Sequence, residues 1–344
     1  MRAVVINRHG DIDCLEVVDD LPQPKCAAGE VIVQIRSAAL NHLDIWVRKG
    51  RPGHELSAPH VLGSDAAGIV IEKGVDTRGV NVGDEVIINP GLSCGYCEQC
   101  RAGQQSQCAS FGLVGMSRPG TFAQKIAVPF ANVWPKPQHL DFSEAATLAL
   151  AHQTAWRMLM TRGRLKPGET LLIHGIGGGV ALACLQLAKL AGATVIVTSG
   201  SDEKIEKAKL LGADCGINYK STPDVAATVK DLTDGRGVDI IADTVGAATW
   251  PLDFEAVKRA GRIVICGVTG GPAAETNLQA LYWNQLTILG STMGSDEDFR
   301  QMFKAVTAAR VKPVVDSVYP LEQAAAAMTR MERGKQFGKI VLDI

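Results

Sequence analysis

The stretch from Glu169 to Ala213 constrains the fold more than any other part of the chain. It opens with an apolar run of strand length, Thr170-Leu171-Leu172-Ile173, followed by a glycine cluster at Gly175, Gly177, Gly178 and Gly179. Val180 to Leu190 then contains no helix breaker, Gly192 stops the run, and Thr194 to Thr198 reads as a second strand. Strand, glycine turn, helix, strand is the βαβ unit that holds a dinucleotide. The glycines let backbone N–H groups approach a pyrophosphate, and the helix N-terminus favours its negative charge. Gly175-x-Gly177-x-x-Val180 departs from the simple GxGxxG spacing at its last position. Shifted by one turn position, Gly175-x-x-Gly178-x-x-Ala181 keeps a small residue at each contact point. A lone glycine pattern also fits an ordinary structural turn; the flanking strands and the helix length favour the cofactor site.

A second feature is the segment Cys94-Gly95-Tyr96-Cys97-Glu98-Gln99-Cys100, with Cys108 further on. Three cysteines at Cys-x-x-Cys-x-x-Cys spacing cannot all find disulfide partners among themselves, whereas a tetrathiolate zinc site needs this kind of hairpin spacing. The rival readings are an iron–sulfur cluster and free thiols. The bacterial ferredoxin run has a shorter last gap and a following proline, and both are missing here. Four thiolates close the zinc shell, so such an ion fixes a lobe, at 92–110, and leaves no open position for chemistry.

Charge and size narrow the function classes. A net charge of −1 over 344 residues argues against a nucleic-acid partner, which would need a basic face. No apolar run is long enough to span a bilayer. Met1 to Ile6 reads as a first strand and not as a signal peptide, so a soluble, cytoplasmic protein is expected. Nine cysteines, four of them clustered, suit metal binding in a reducing compartment. The length suggests two domains.

Along the chain, residues 1 to about 145 read as short strands and turns: Ala3–Ile6, Glu30–Ala38, Gly68–Lys73 and Glu85–Ile88. This half is expected to be a distorted β-barrel. A helix opens near Ser143, capped by Ser143 or Asp141, and a second passes through Thr154–Trp156. After the glycine unit, strands at 237–243, 261–267 and 286–290 alternate with helices at 201–211, 224–233 and 251–257. That alternation means a parallel sheet covered on both faces. Two helices, 296–309 and 322–334, and a closing strand, 339–344, end the chain.

Gly63-Ser64-Asp65-Ala66-Ala67-Gly68-Ile69-Val70, Val82-Gly83-Asp84-Glu85-Val86, the four-cysteine segment and the Gly175 turn occur in that order. In this the chain resembles the medium-chain dehydrogenase/reductase superfamily over essentially its whole length. The resemblance implies an α/β protein with a GroES-like substrate domain at 1–148, a Rossmann domain at 149–293 and a C-terminal return at 294–344. It implies an NAD(P)-dependent oxidoreductase of the alcohol dehydrogenase or quinone reductase type. The zinc alcohol dehydrogenases of that superfamily carry a cysteine at the position matching Asn41. They carry His-Glu where this chain has Ser64-Asp65, and a third ligand near Leu150. Asparagine and serine are poor zinc ligands and leucine is none. Asn41-His42-Leu43-Asp44 instead resembles the zinc-independent quinone oxidoreductases, although these usually lack the cysteine lobe. A site rebuilt from His42, His60 and Asp65 is the alternative.

Three further expectations follow. The second strand of the glycine unit ends at Ser199, where an acidic residue would hold the ribose of NAD; with Lys204, Tyr219 and Lys220 nearby, NADPH is favoured, against the plain reading of Lys204 as a solvated helix charge. Val180, Gly246, Gly267 and Val268 complete the expected cofactor-binding set. Without a second metal, the Asn41 amide is the expected donor to a developing enolate. Asp44 orients its loop, Trp46 walls a flat substrate, and His152 is structural. The expected reaction is hydride transfer from NADPH to a quinone or enone. A zinc-containing alcohol dehydrogenase with atypical ligands and a nucleotide-binding protein without turnover are the alternatives. Finally, the 286–290 strand should be the outer edge of the sheet, and pairing of two such edges would give a homodimer or homotetramer.

Overall fold

The computed structural model describes residues 1–50 and 57–344. Its chain forms two compact units. One comprises Met1–Leu150, Ser295–Phe299 and Phe303–Ile344, the other Ala151–Gly294 with Arg300–Met302.

The first unit is organised by the strand Glu30–Ala39, whose β-branched residues Val31, Ile32 and Val33 are all buried. At ten residues it is long enough to serve two partners along one side. Its first half pairs with Lys125–Pro129, from Glu30 opposite Pro129 to Gln34 opposite Lys125. Its last residues, Ser37 to Ala39, pair with the C-terminal strand Lys339–Asp343. Along the other side runs Asp65–Lys73, with Ala39 opposite Asp65. The sheet continues through Glu85–Ile88 to Val133–Pro135, and beyond Lys339–Asp343 to Val315–Pro320. A smaller sheet joins Ala3–Ile6 to Leu15–Val18 and His60–Val61. Register thus brings the C-terminal strand beside Glu30–Ala39, across that strand from Asp65–Lys73, at the end where Ala39 meets Asp65.

The second unit is a six-stranded, wholly parallel sheet. Across it the order is Cys215–Asn218, Thr194–Ser199, Thr170–Ile173, Val238–Asp243, Val257–Ile265 and Thr287–Gly290. Leu171, Leu172 and Ile173 are all buried, as a strand covered on both faces requires. Leu172, Ile196, Ile217, Ile241 and Ile263, one from each of five adjacent strands, form a core with Val229 and Trp250 from the covering helices. Among the described residues no helix is long and apolar enough to cross a membrane.

Local sequence explains most element ends. Asp141 caps the helix Phe142–Ala146, its carboxylate accepting from the Glu144 N–H at 2.7 Å while Glu144 accepts from the Asp141 N–H. The segment after Asn41, which reads from sequence as a loop, is the helix His42–Lys49 with Asn41 as its N-cap residue. Asp44, at the third helical position, accepts from the Asn41 N–H at 2.7 Å. The strand Cys215–Asn218 is not legible from sequence because Gly216 and Asn218 give it no β signal. The glycine is needed there, since a Cβ would lie 2.2 Å from Ile205 Cγ2.

Gly115 is a sharper case. Its φ is +80°, and a Cβ would lie 2.2 Å from the Gly63 carbonyl oxygen. Left-handed backbone and overpacking against main chain add up, so Gly115→Ala should lose roughly 2–4 kcal/mol of stability in urea unfolding. A loss below about 0.5 kcal/mol, the range of a neutral surface change, would contradict this packing.

Candidate functional site

The glycine turn stands where a parallel sheet admits a ligand. From Thr170–Ile173 the chain builds outward in one direction to Cys215–Asn218, then returns and builds the other half from Val238–Asp243. The crevice at such a reversal, outside the carboxyl ends of the strands, is the dinucleotide position. Gly175 and Gly177 have φ of +64° and +119°, and Gly178 is the N-cap residue of the helix Gly179–Leu190. Gly175 and Gly177 therefore serve backbone shape, whereas a Cβ on Gly178 would come no nearer than 3.9 Å to another atom, the Gly175 carbonyl oxygen. Val180 lies in the first turn of that helix. His174 braces the turn from below: its Nε2 lies 2.7 Å from Asp253 Oδ1 and its Nδ1 3.2 Å from Thr198 Oγ1. Burial pushes the Asp253 carboxyl up to about 6, against the opposing effect of His174. Gly246, Gly267 and Val268 follow the next two strands. A Cβ on Gly246 would meet the Gly271 carbonyl oxygen at 2.8 Å, and one on Gly267 the Thr244 carbonyl oxygen at 2.8 Å.

At the end of Thr194–Ser199, Ser199 is buried and its Oγ accepts from the Ser201 N–H at 3.2 Å. Tyr219 and Lys220 close over Gly200, where a Cβ would meet the Tyr219 hydroxyl and Lys220 Cε at 2.8 Å each. Ser201 caps the helix Asp202–Leu210, accepting from the Lys204 N–H at 3.4 Å. Asp202 and Glu203 occupy its first turn, and Asp202 accepts from Asn218 Nδ2 at 2.7 Å. This strand end therefore carries two carboxylates beside Lys204.

The four cysteines converge. Cys94 Sγ lies 3.5 Å from Cys108 Sγ and 3.9 Å from Cys100 Sγ, and all four sulfurs lie within 4.8 Å of one another. A tetrahedral zinc with bonds of about 2.3 Å needs sulfurs about 3.8 Å apart, so the donor set fits. The N–H groups of Tyr96 and Cys97 hold the Cys94 thiol below its ordinary range. An ion there would tie the short helix Glu98–Arg101 to Cys94 and Cys108.

A third cluster joins two strands, those of Asp65 and Lys339, to the helix start at Asn41. Asp65 is fully buried and accepts from the Leu150 N–H at 2.9 Å, from Asn41 Nδ2 at 3.0 Å and from Lys339 Nζ at 3.1 Å. Lys339 also donates to Asn41 Oδ1 at 2.5 Å. Asn41 Nδ2 reaches the Ala39 carbonyl oxygen as well, at 3.4 Å. Beside them Asp44 is 1 % exposed, and burial raises its carboxyl to about 7 despite the opposing Asn41 N–H and the Lys339 charge. Lys339 carries no local sequence signal; it stands 298 residues from Asn41. Trp46 faces His42 edge-on, with ring centroids 6.4 Å apart. His152 is buried with Nε2 3.1 Å from Gln186 Oε1.

These residues do not fit a zinc in the usual catalytic place of the family. Ser64 Oγ donates to the Val114 carbonyl oxygen at 2.7 Å, and His60 Nε2 lies 2.9 Å from the Gly115 carbonyl oxygen. Asn41 and Asp65 face an ammonium, whose positive charge opposes a cation in the same place. Among the described residues, the four cysteines are the one group of three or more His, Cys, Asp or Glu side chains placed to share an ion.

Comparison with known proteins bears on all of this. A model of zinc-binding dehydrogenases matches residues 179–308, and one of alcohol dehydrogenase GroES-like domains matches residues 27–138. A zinc-type alcohol dehydrogenase-like protein of Schizosaccharomyces pombe is 34 % identical, covering 100 % of this chain and 99 % of its own. An NAD-dependent alcohol dehydrogenase of Sulfurisphaera tokodaii is 30 % identical over 94 % of this chain and 95 % of its own. The crystal structure of an NAD-dependent alcohol dehydrogenase superposes with a TM-score of 0.94 at 43 % identity, covering 100 % of both chains.

Two expectations are corrected by these findings. The reading as a quinone or enone reductase gives way, because most of the similar proteins are alcohol dehydrogenases. The NADPH preference gives way as well, because the Sulfurisphaera tokodaii relative and the superposed crystal structure are both NAD-dependent by name. Locally, Ser199 spends its oxygen on Ser201, and Asp202 and Glu203 offset Lys204, so the missing acid at Ser199 does not leave a basic pocket.

The cysteine cluster makes a direct prediction. Purified protein should contain one zinc per chain, and Cys97→Ser should lose that zinc and melt earlier while binding dinucleotide within about threefold of the wild type. Iron, or no metal, in freshly purified wild type would contradict the assignment.

Proposed function

Because the chain belongs to the zinc-type alcohol dehydrogenases of the medium-chain dehydrogenase/reductase superfamily, we propose that it is an NAD-linked alcohol dehydrogenase. It interconverts a small alcohol and its carbonyl compound. The observation that carries this reading is the full-length likeness to NAD-dependent alcohol dehydrogenases, in a chain whose glycine turn sits at the switch point of a parallel sheet. The turn Gly175–Gly179 holds the pyrophosphate, and Asp202 is the carboxylate nearest the strand end where the adenosine ribose is read. A nicotinamide cofactor supplies the hydride chemistry when bound. The four cysteines hold a zinc that fixes their lobe and takes no part in the reaction.

Incubation with NAD⁺ and a panel of primary and secondary alcohols should give NADH, and the corresponding aldehydes and ketones should consume it. kcat/KM with NAD⁺ should exceed that with NADP⁺ by at least about tenfold, a difference of about 1.4 kcal/mol. Turnover confined to NADP⁺, or to none of the alcohols and carbonyls, would overturn the reading.

The same reading includes a two-fold assembly. Thr287–Gly290 is an edge strand of the parallel sheet, and the neighbouring helix Leu278–Trp283 exposes Leu278, Tyr282 and Trp283. An apolar edge of this kind is a template for a second copy. Light scattering should give a dimer or tetramer for the wild type and a smaller species for Thr287→Pro, which removes an edge donor. A monomeric wild type at micromolar concentration would end this part of the proposal. None of the nine cysteines is paired in a disulfide, which supports placement in a reducing compartment such as the cytoplasm.

A further inference from the structure

Under the glycine turn lie three side chains, His174, Asp243 and Asp253, each no more than 1 % exposed. Thr198 Oγ1 accepts from the Gly175 N–H at 3.4 Å, which leaves its one hydrogen for His174 Nδ1 at 3.2 Å. His174 then keeps its own proton on Nε2 and donates it to Asp253 Oδ1 at 2.7 Å. Asp243 Oδ1 accepts from the Val245 and Gly246 N–H groups at 2.6 and 3.1 Å, and the Thr249 hydroxyl lies 3.2 Å from the same atom. Asp253 Oδ2 is different: it is buried and meets no donor among the described residues. The Asp253 carboxyl stands within hydrogen-bonding reach of Asp243. Two carboxyl groups bond each other only through a proton, and two buried in contact do not both ionise without a large cost.

We propose that Asp253 and Asp243 share one proton and that this proton governs dinucleotide affinity, a role that rests on the NAD-linked reading of the glycine turn. With the proton in place, Asp253 Oδ2 donates to Asp243, and His174, Asp253 and Asp243 together carry one negative charge. Without it they carry two, out of reach of water. The second charge disfavours the dinucleotide in two ways. It adds negative charge behind the turn that takes the pyrophosphate, since His174 directly precedes Gly175. It also sets Asp253 against Asp243, which anchors the loop of Gly246, a member of the expected cofactor set. Asp253 and His174 act through the turn and that loop and are positioning residues. Cys266, after the next strand, is the other titratable group beside Asp243; burial pushes its thiol up to about 12, so it stays neutral. Burial of Asp253, with Asp243 alongside and His174 opposing, raises its carboxyl to about 6. A folded-state value above the unfolded one gives a contribution that is complete below the ordinary carboxylate range and is lost as pH rises through about 6.

Asp253→Asn is a permanent mimic of the protonated acid, its amide oxygen accepting from His174 and its NH₂ donating to Asp243. In calorimetric titration of the full chain with NAD⁺, wild-type affinity should fall by at least about threefold between about pH 5 and about pH 7.5, within the tenfold per pH unit that one linked proton allows. Asp253→Asn should hold its affinity within about 1.5-fold over that range and bind at least about threefold more tightly than the wild type at the upper pH. It should also melt no earlier than the wild type there, with the difference shrinking at the lower pH. A variant that fails to fold, or melts earlier at the upper pH, would mean that Asp253 is held as a carboxylate against an imidazolium, and the shared proton would be ruled out. An affinity that falls equally in both proteins, or in neither, would also overturn the proposal and leave the NAD-linked reading intact. A wild type that binds NAD⁺ at neither pH would overturn both.

Discussion

Everything around the candidate site leans on one buried ion pair, Asp65 with Lys339. Taking each charge out of water costs several kcal/mol, which the pair recovers only with good geometry and further hydrogen bonds. Those bonds are present. The Leu150 N–H and Asn41 Nδ2 complete Asp65, and Asn41 Oδ1 completes Lys339. Remove any one and a buried charge is left short of partners. The pair therefore acts as a lock between three stretches of chain: the strand beginning at Asp65, the helix start at Asn41 and the closing strand at Lys339.

That lock is possible because the Glu30–Ala39 strand is shared. Had it paired with Lys125–Pro129 along its whole length, the closing strand would have had no edge to join, and Lys339 would stand elsewhere. On its other side, the pairing with Asp65–Lys73 shifts register between Ile32 and Val33 and between Ile35 and Ser37. Gly68, opposite Ile35 in that pairing, has to be a glycine, since a Cβ there would lie 2.2 Å from the Gln34 carbonyl oxygen. Chain topology and site chemistry are thus one problem. The dinucleotide end is simpler: a parallel sheet reverses its order, two glycines adopt positive φ, and a helix N-terminus points its free N–H groups outward. The cysteine lobe is simpler still, since its four sulfurs already stand near tetrahedral spacing.

How much of this is legible in the sequence follows from the range of each interaction. The glycine turn and the cysteine segment are local, so Gly175, Gly177 and Cys94-x-x-Cys97-x-x-Cys100 announce themselves within a few residues. The α/β class follows from the alternation of strand and helix patterns, and the expectation of GroES-like and Rossmann halves from the family resemblance that the motif order carries. The Asn41 helix escapes a sequence reading because its capping residues resemble a turn when their partners are unknown. Cofactor preference does not follow from the identity of Ser199 alone; its oxygen is engaged by Ser201, and Asp202 and Glu203 follow in space as well as in sequence. Lys339 is invisible in principle: a lysine at the head of a closing strand carries no signal until tertiary pairing places it against Asp65.

The central claim is that Asp65 and Lys339 act as a pair and are not two independent buried residues. A double-mutant cycle measures this most directly, using urea unfolding of the wild type, Asp65→Asn, Lys339→Met and the combination. Pairing predicts a coupling energy of at least about 2 kcal/mol, with the double variant more stable than additivity allows. Additive losses, with coupling below about 0.5 kcal/mol, would mean that the contact is incidental and that the site is held by something else.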